Sequence, residues 1–350
     1  MTYRFGIVGG GMIAPVHLAA IRALPDARAT GIMDHGSGRG QALAPELDGT
    51  GSADLDAFMA RDDIDIITVA TPSGLHHEAA MKAARAGKHC IVEKPLDIDL
   101  QRIDEMIAAH RSAGTRLGGI FNTRYSGAAQ LVKRAAAAGR FGRLTFASAI
   151  GPWWRDQSYY DSSQWKGTWA LDGGGALMNQ GIHSIDLMQW LMDSPVASVS
   201  GRMATLAHQR VEVEDTSVAS LSFENGALGT IACATSMWPG HFRTVTLAGD
   251  HGTAVLGDGN LLVWRFRHES AEDDAIRERY LGLPGAGIGA ADPSAGLDCE
   301  GHRAAFAEFL AALDAGRPPP IDGLEARKAV AVIVAIYESA RLGGTPVTLR

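Results

Sequence analysis

Cysteine is scarce in this chain. Cys90, Cys233 and Cys299 are its three cysteines. They stand far apart and form no CxxC pair, so neither a disulfide framework nor a cysteine zinc site is indicated. No basic run is present and the net charge is −7, which argues against nucleic acid as a partner. No stretch approaches the roughly 20 apolar residues of a membrane helix. Arg4 and Gly6 interrupt the opening apolar run, which reads as a strand and not as a signal peptide. No Gly-x-Ser-x-Gly elbow appears, which disfavours a serine hydrolase. There is no internal repeat, long charge run or low-complexity linker. The expectation is a reduced, cytoplasmic, soluble chain with no membrane or nucleic-acid partner. With 350 residues, 46% of them hydrophobic, it is long enough for two packed domains.

The most informative stretch is the first. Tyr3 to Val8 reads as a buried strand, followed by Gly9-x-Gly11-x-x-Ala14 and a helix from Ala14 to Leu24. This is the strand-to-helix turn that binds dinucleotides. Gly9 permits a tight turn, Gly11 lets a pyrophosphate approach the backbone, and small Ala14 lets helix and strand pack closely. The N–H groups around Met12 and Ile13 then face the phosphates, with the helix dipole adding to the attraction. Strand Arg28–Met33 ends at Asp34, roughly twenty residues beyond the glycines, where ribose hydroxyls are expected. A carboxylate there favours NAD and repels the extra phosphate of NADP. Asp34 is also good turn chemistry in Asp-His-Gly-Ser-Gly, and Arg39 is placed to reach a 2′-phosphate, so NADP is not excluded.

Three further strands, Ile64–Ala70, Lys88–Val92 and Arg116–Phe121, alternate with helices Glu78–Ala86 and Asp99–Ala113. Such alternation implies a doubly wound parallel sheet. Thr71-Pro72 leads to His76 at the carboxyl end of one strand, and Glu93-Lys94-Pro95 lies at the end of the next, where ligands bind in open α/β sheets. Lys94 there would face the nicotinamide end of a cofactor; a solvated surface lysine before a turn proline is the plainer reading. Pro95 makes a cis peptide accessible.

The texture changes after Phe121, giving expected domains over 1–121 and 122–350. Ala128–Ala138 is a helix closed by Gly139, and Leu144–Ile150 is a strand. From Val196 to Arg265 strand follows strand, which suggests a mostly antiparallel sheet. Leu281 to Leu297, rich in Gly, Ala and Pro, reads as a loop. Helices follow near His302–Ala315 and Leu324–Arg341. With few helices to cover the sheet, an apolar face would be left for a dimer or tetramer contact.

Aromatic residues crowd between Trp153 and Trp169 beside Asp156, Gln157, Asp161 and Gln164. Trp153 and Trp165 suit a sugar site, where rings stack on C–H groups, and equally suit a core. Asp172-Gly173-Gly174-Gly175 opens a helical run in which Asn179 and His183 are spaced i, i+4, with Asp186 three residues on. His183 is a candidate proton carrier or a core histidine satisfied by a neighbour. His76 and His77 diverge and His89-Cys90 has no paired motif, so no metal is expected.

In these motifs, taken in order, the chain resembles the glucose–fructose oxidoreductase and inositol dehydrogenase (Gfo/Idh/MocA) family over nearly its whole length. The resemblance implies an N-terminal Rossmann domain for NAD and a C-terminal α/β domain with a large open-faced sheet, through which the family often pairs subunits. It implies a dehydrogenase acting on a sugar, inositol or related polyhydroxy substrate. It places Lys94 and His183 in the active site, with Gly9, Gly11, Met12, Ile13, Asp34, Thr71, Pro72, His76, Glu93 and Lys94 toward the cofactor. Trp153, Trp165, Lys94, Asn179 and His183 lie toward substrate. Many members carry aspartate four residues before the histidine; Asn179 stands there and supplies no charge, so its role would be to orient substrate. Two other functions fit the same scaffold. An NAD-dependent glycosidase using transient oxidation would hydrolyse without net NADH, and a non-catalytic nucleotide sensor would bind NAD without turnover.

Overall fold

A computed structural model describes residues 2–35, 38–47, 49–282 and 299–349. The chain divides into two compact units, Met1–Asn122 with Gly296–Val330, and Thr123–Ala295 with Ala331–Arg350.

The first unit alternates strand and helix: β1 (Tyr3–Val8), α1 (Ala14–Arg22), β2 (Ala27–Met33), α2 (Arg39–Leu43), β3 (Thr50–Ser52), α3 (Leu55–Met59), β4 (Ile66–Val69), α4 (His76–Arg85), β5 (His89–Val92), α5 (Leu100–Ser112) and β6 (Leu117–Gly119). All strands pair in parallel in the order β3-β2-β1-β4-β5-β6. This is the doubly wound sheet the alternation implies. A strand covered by helices on both faces must be apolar throughout, and all of β4 is buried. Two helices start at side-chain caps: the Asp54 and Asp99 carboxylates accept the N–H groups of Ala57 and Arg102. The strand order reverses between β1 and β4, so their carboxyl ends open at the switch point where such sheets bind ligands.

The second unit begins with α6 (Gly127–Ala137), β7 (Leu144–Pro152) and α7 (Gln157–Asp161). A π-helical segment, Ala176–Gly181, runs directly into α8 (Ile182–Met192). Six strands follow: β8 (Val196–Ala204), β9 (Thr216–Phe223), β10 (Leu228–Ala234), β11 (Thr244–Gly249), β12 (Gly252–Gly257) and β13 (Asn260–Phe266). After α9 (Ala271–Tyr280), α10 (Glu300–Asp314) belongs to the first unit, α11 (Gly323–Arg341) ends in the second, and β14 (Val347–Thr348) closes the sheet. The sheet order is β13-β12-β11-β7-β10-β9-β8-β14. It is antiparallel except where β10 lies parallel to β7. The expected loop over Leu281–Leu297 lies, beyond Gly282, outside the described residues.

Alternation along β9 buries Ser217, Ala219, Leu221 and Phe223 while Val218 and Ser220 face out. On the covered side α8 packs against β7 and β11, and the Ser339 hydroxyl of α11 accepts the Gly201 N–H. The other side carries Val218, Leu228 and Phe146 at 51%, 61% and 38% exposure, with Leu228 opposite Phe146 in register. Helix α9 escaped the hydrophobic pattern for a physical reason. Of its residues only Asp273 is buried, and that carboxylate caps the helix with Ser270 and accepts from Arg140 and Trp264. No helix among the described residues is long and apolar enough to cross a membrane.

Candidate functional site

The first unit gathers the nucleotide motifs at the switch point. Gly9 N–H donates to Met33 O of β2, and Ala70 N–H donates to Val8 O, so the turn is stitched to both neighbours of β1. Gly9 has φ +109°, and a Cβ there would lie 2.6 Å from the Ala70 carbonyl; no other residue fits. At Gly11 a Cβ would meet only Ala70 O, at 3.7 Å. The space above this backbone is open, as an approaching pyrophosphate requires. Ala14 is fully buried, Ile13 precedes the first turn of α1, and Met12 is 54% exposed. Asp34 follows β2; its carboxylate accepts the Gly40 N–H at 2.9 Å and lines a cavity of about 80 Å³ with Gly51 and Ser52. Gly36 and Ser37 of the turn after Asp34 are not among the described residues.

Beyond β4, the Thr71 hydroxyl is buried without a hydrogen-bond partner. An orphaned polar atom beside an open glycine turn fits a dinucleotide. His76 bridges two loops, with Nδ1 2.8 Å from Pro95 O and Nε2 2.9 Å from Thr71 O. Burial lowers its pKa, while the two carbonyls and the Asp97 and Glu93 carboxylates act the other way. The Lys94–Pro95 peptide is cis, and Lys94 is half-buried. Glu93 is buried. Its Oε1 accepts from Nε2 of His17 and Nε2 of His302, each at 2.9 Å, and its Oε2 accepts the Lys94 N–H at 3.1 Å. Burial alone would raise this carboxyl; the donors from His17 and His302 outweigh it and hold it well below the usual range.

In the second unit Asn179 sits in the π-helical segment and His183 in the first turn of α8. Asn179 Nδ2 donates to Asp172 Oδ1 at 2.6 Å and its Oδ1 accepts from Gln180 Nε2 at 2.9 Å. Asp172 thus fixes the orientation of the Asn179 amide. Asp186, three residues beyond His183, forms a buried bidentate pair with Arg124, at 2.7 and 2.5 Å. His183 lines a cavity of about 140 Å³ with Thr123, Ser126, Arg243 and Asp258. Trp153 is buried, its ring flanked by Arg155 and Arg243 at 5.1 and 5.6 Å; Trp165 is half-buried and its carbonyl accepts the Thr168 hydroxyl.

Residues 3–120 match the model of the oxidoreductase family with an NAD-binding Rossmann fold, and residues 129–255 match the Gfo/Idh/MocA C-terminal domain. The chain belongs to the Gfo/Idh/MocA family. The WlbA dehydrogenase of Bordetella pertussis, in complex with NADH and UDP-GlcNAcA, superposes with a TM-score of 0.88 at 33% identity, covering 100% of this chain and 99% of that one. The Chromobacterium violaceum WlbA dehydrogenase, also with NADH and UDP-GlcNAcA, gives 0.88 at 31% identity, covering 100% and 96%. Inositol 2-dehydrogenase of Rhizobium meliloti (strain 1021) is 29% identical over 211 residues, which span 60% of this chain and 61% of that enzyme.

Three features of this family member were silent in its sequence. His17 follows the glycine turn by three residues and His302 stands on α10, yet nothing in their neighbours marks them as partners of Glu93. Glu214 is buried beneath the glycine-rich turn, where its carboxylate accepts the N–H groups of Gly175 and Leu177 and the Tyr337 hydroxyl. Burial raises its pKa to about 7, against those three donors. An acid whose folded pKa exceeds its unfolded value binds more protons in the folded state, so stability falls as pH rises from the unfolded pKa through the folded one. Relative to Glu214→Gln, the wild type is expected to lose on the order of 2 kcal/mol between pH 4.5 and 7. Urea denaturation of both proteins across that window measures it, and parallel pH profiles would contradict it.

Proposed function

We propose that the chain is an NAD-dependent dehydrogenase acting on a CH–OH group of a sugar, inositol or related polyhydroxy compound. The observation that carries this reading is the open backbone at Gly11, at the switch point beside the buried, orphaned Thr71 hydroxyl. The first unit, with residues 1–121, would bind the dinucleotide and the second unit the substrate. The ligands of the WlbA relatives and the name of the Rhizobium relative support the substrate class. The well-separated Cys90 and Cys233, both buried thiols, suit a reducing cytoplasmic setting.

Gly9, Gly11, Met12 and Ile13 would hold the pyrophosphate, and Thr71, Pro72, His76 and Glu93 would shape the loops beside it. Asp34 would accept the ribose hydroxyls and so favour NAD over NADP; tighter binding of NADPH than NADH would contradict that role. Bound NAD supplies the hydride acceptor. His183 would take the hydroxyl proton, Lys94 would hydrogen-bond the reacting oxygen and stabilise its developing charge, and Asn179, held by Asp172, would orient the substrate. Trp153 and Trp165 would offer ring faces to it.

A panel of sugars, polyols and sugar nucleotides, read as NADH absorbance, tests the activity. Lys94→Met and His183→Ala are expected to fold and bind NADH with little change while kcat falls roughly 10²–10⁴-fold. Full turnover in Lys94→Met would remove the site assignment. If His183 is a core histidine, His183→Ala should lower the melting temperature and spare turnover per folded molecule.

The outward face bearing Val218, Leu228 and Phe146 is the surface through which copies would pair, as a homodimer or homotetramer. Light scattering at micromolar concentration is expected to give a multiple of the 36.9 kDa chain mass. A monomer there would sink this part.

A further inference from the structure

We propose that His17 and His302 are positioning residues for Lys94, acting through the Glu93 carboxylate. The inference rests on the assignment of Lys94 to the reacting oxygen and goes beyond it, since neither histidine belongs to a recognised motif of the chain.

The geometry is a three-part clamp within the first unit. His17 stands on α1, His302 on α10, and Glu93 follows β5. Helix α10 packs on α1, and the two imidazoles lie with centroids 5.4 Å apart. Both present Nε2 to the same oxygen, Glu93 Oε1, at 2.9 Å. The other oxygen takes the Lys94 N–H. One carboxylate thus ties the backbone of the lysine to two helices.

The protonation pattern follows from donors and acceptors. Glu93, held ionised, only accepts. Each Nε2 must then carry a proton. For His17 this leaves Nδ1 as an acceptor, and the buried Thr68 hydroxyl lies 2.9 Å from it. His17 is therefore oriented from both sides, and burial keeps its pKa low, which favours this neutral tautomer. The three side chains are also zinc ligands by type. Two nitrogens at 2.9 Å from one oxygen are hydrogen-bond distances, however, and bonds of about 2.0–2.1 Å to a tetrahedral ion would set the ligand atoms about 3.3 Å apart.

Removing one donor leaves a buried carboxylate under-satisfied, and such a group takes up a proton or moves. Either response changes the setting of Lys94. Second-layer partners that orient a reactive side chain act in this way without touching substrate.

The test reads the lysine amine itself. The full-length chain is reductively methylated with [13C]formaldehyde, and the Lys94 resonance is identified by its absence in Lys94→Met. His302→Leu and His17→Leu are expected to displace that resonance, or its titration midpoint by about 0.5 pH unit or more, while Lys133 and Lys166 stay in place. His302→Gln, whose amide nitrogen replaces Nε2 as a donor, is expected to return it toward wild type. Coincidence with wild type in folded His302→Leu overturns the inference, as does equal displacement in the Gln and Leu variants, which would mark packing alone. Should His302→Leu not fold, His302→Asn, one methylene short of the carboxylate, takes its place with the same expectation. Retained turnover in Lys94→Met would sink the underlying assignment while leaving the clamp itself standing.

Discussion

A Cβ at Gly9 would clash with the Ala70 carbonyl at 2.6 Å, and this close approach of two strand ends fixes much of the first unit. Because Gly9 turns there, with its N–H on Met33 O, β1 can hand the chain straight to α1. The same approach puts the end of β4, and with it Thr71, against the glycine turn. Launching α1 from this point sets His17 on its fourth residue, beside Glu93 at the end of β5, the strand beyond β4. One steric constraint therefore aligns an open backbone for phosphates, an orphaned hydroxyl and the loop that carries Lys94.

The second unit solves a related problem by other means. A glycine-rich turn must present Asn179 and His183 at the head of a helix whose remaining residues are packed. Gly174, at φ +155°, lies against Tyr337, and the Tyr337 hydroxyl donates to Glu214, which in turn accepts the N–H groups of Gly175 and Leu177. A buried acid thus supplies acceptors that the irregular backbone would otherwise lack. Asp186 shows the complementary case: a buried carboxylate in the same run pairs with Arg124 and so ties the helix to the segment before α6. Removing one partner of such a buried pair typically costs about 3–5 kcal/mol, whereas the net worth of the pair is far smaller.

Local chemistry made much of this legible. Short apolar runs alternating with helices gave away the parallel sheet, because burial on both faces demands continuous apolar strands. The turn Gly9-x-Gly11-x-x-Ala14 announced itself because tight turning and close approach admit few residues. Glu93-Lys94-Pro95 and the Gly173-to-His183 run stood out by composition, and the resemblance they carry led to the family. What stayed hidden depends on contacts distant in sequence. His302 reaches Glu93 across 209 positions, and no periodicity in α10 marks one buried histidine as a donor. The π-helical segment leaves an ordinary apolar pattern, so spacing could not tell it from the first turns of α8. Helix α9 is polar on nearly every side and held by its cap, so hydrophobic spacing could not show it.

The central claim is that the turn at Gly11 is open in order to admit a dinucleotide. An alanine there has room in the folded chain, since its Cβ would meet only Ala70 O at 3.7 Å. That Cβ would stand where the pyrophosphate must approach. Fluorescence titration of NADH into wild type and Gly11→Ala, with melting temperatures on the same samples, separates folding from binding. The account predicts an unchanged melting temperature and at least about a tenfold rise in Kd, or about 1.4 kcal/mol. An equal Kd in the two proteins would contradict it.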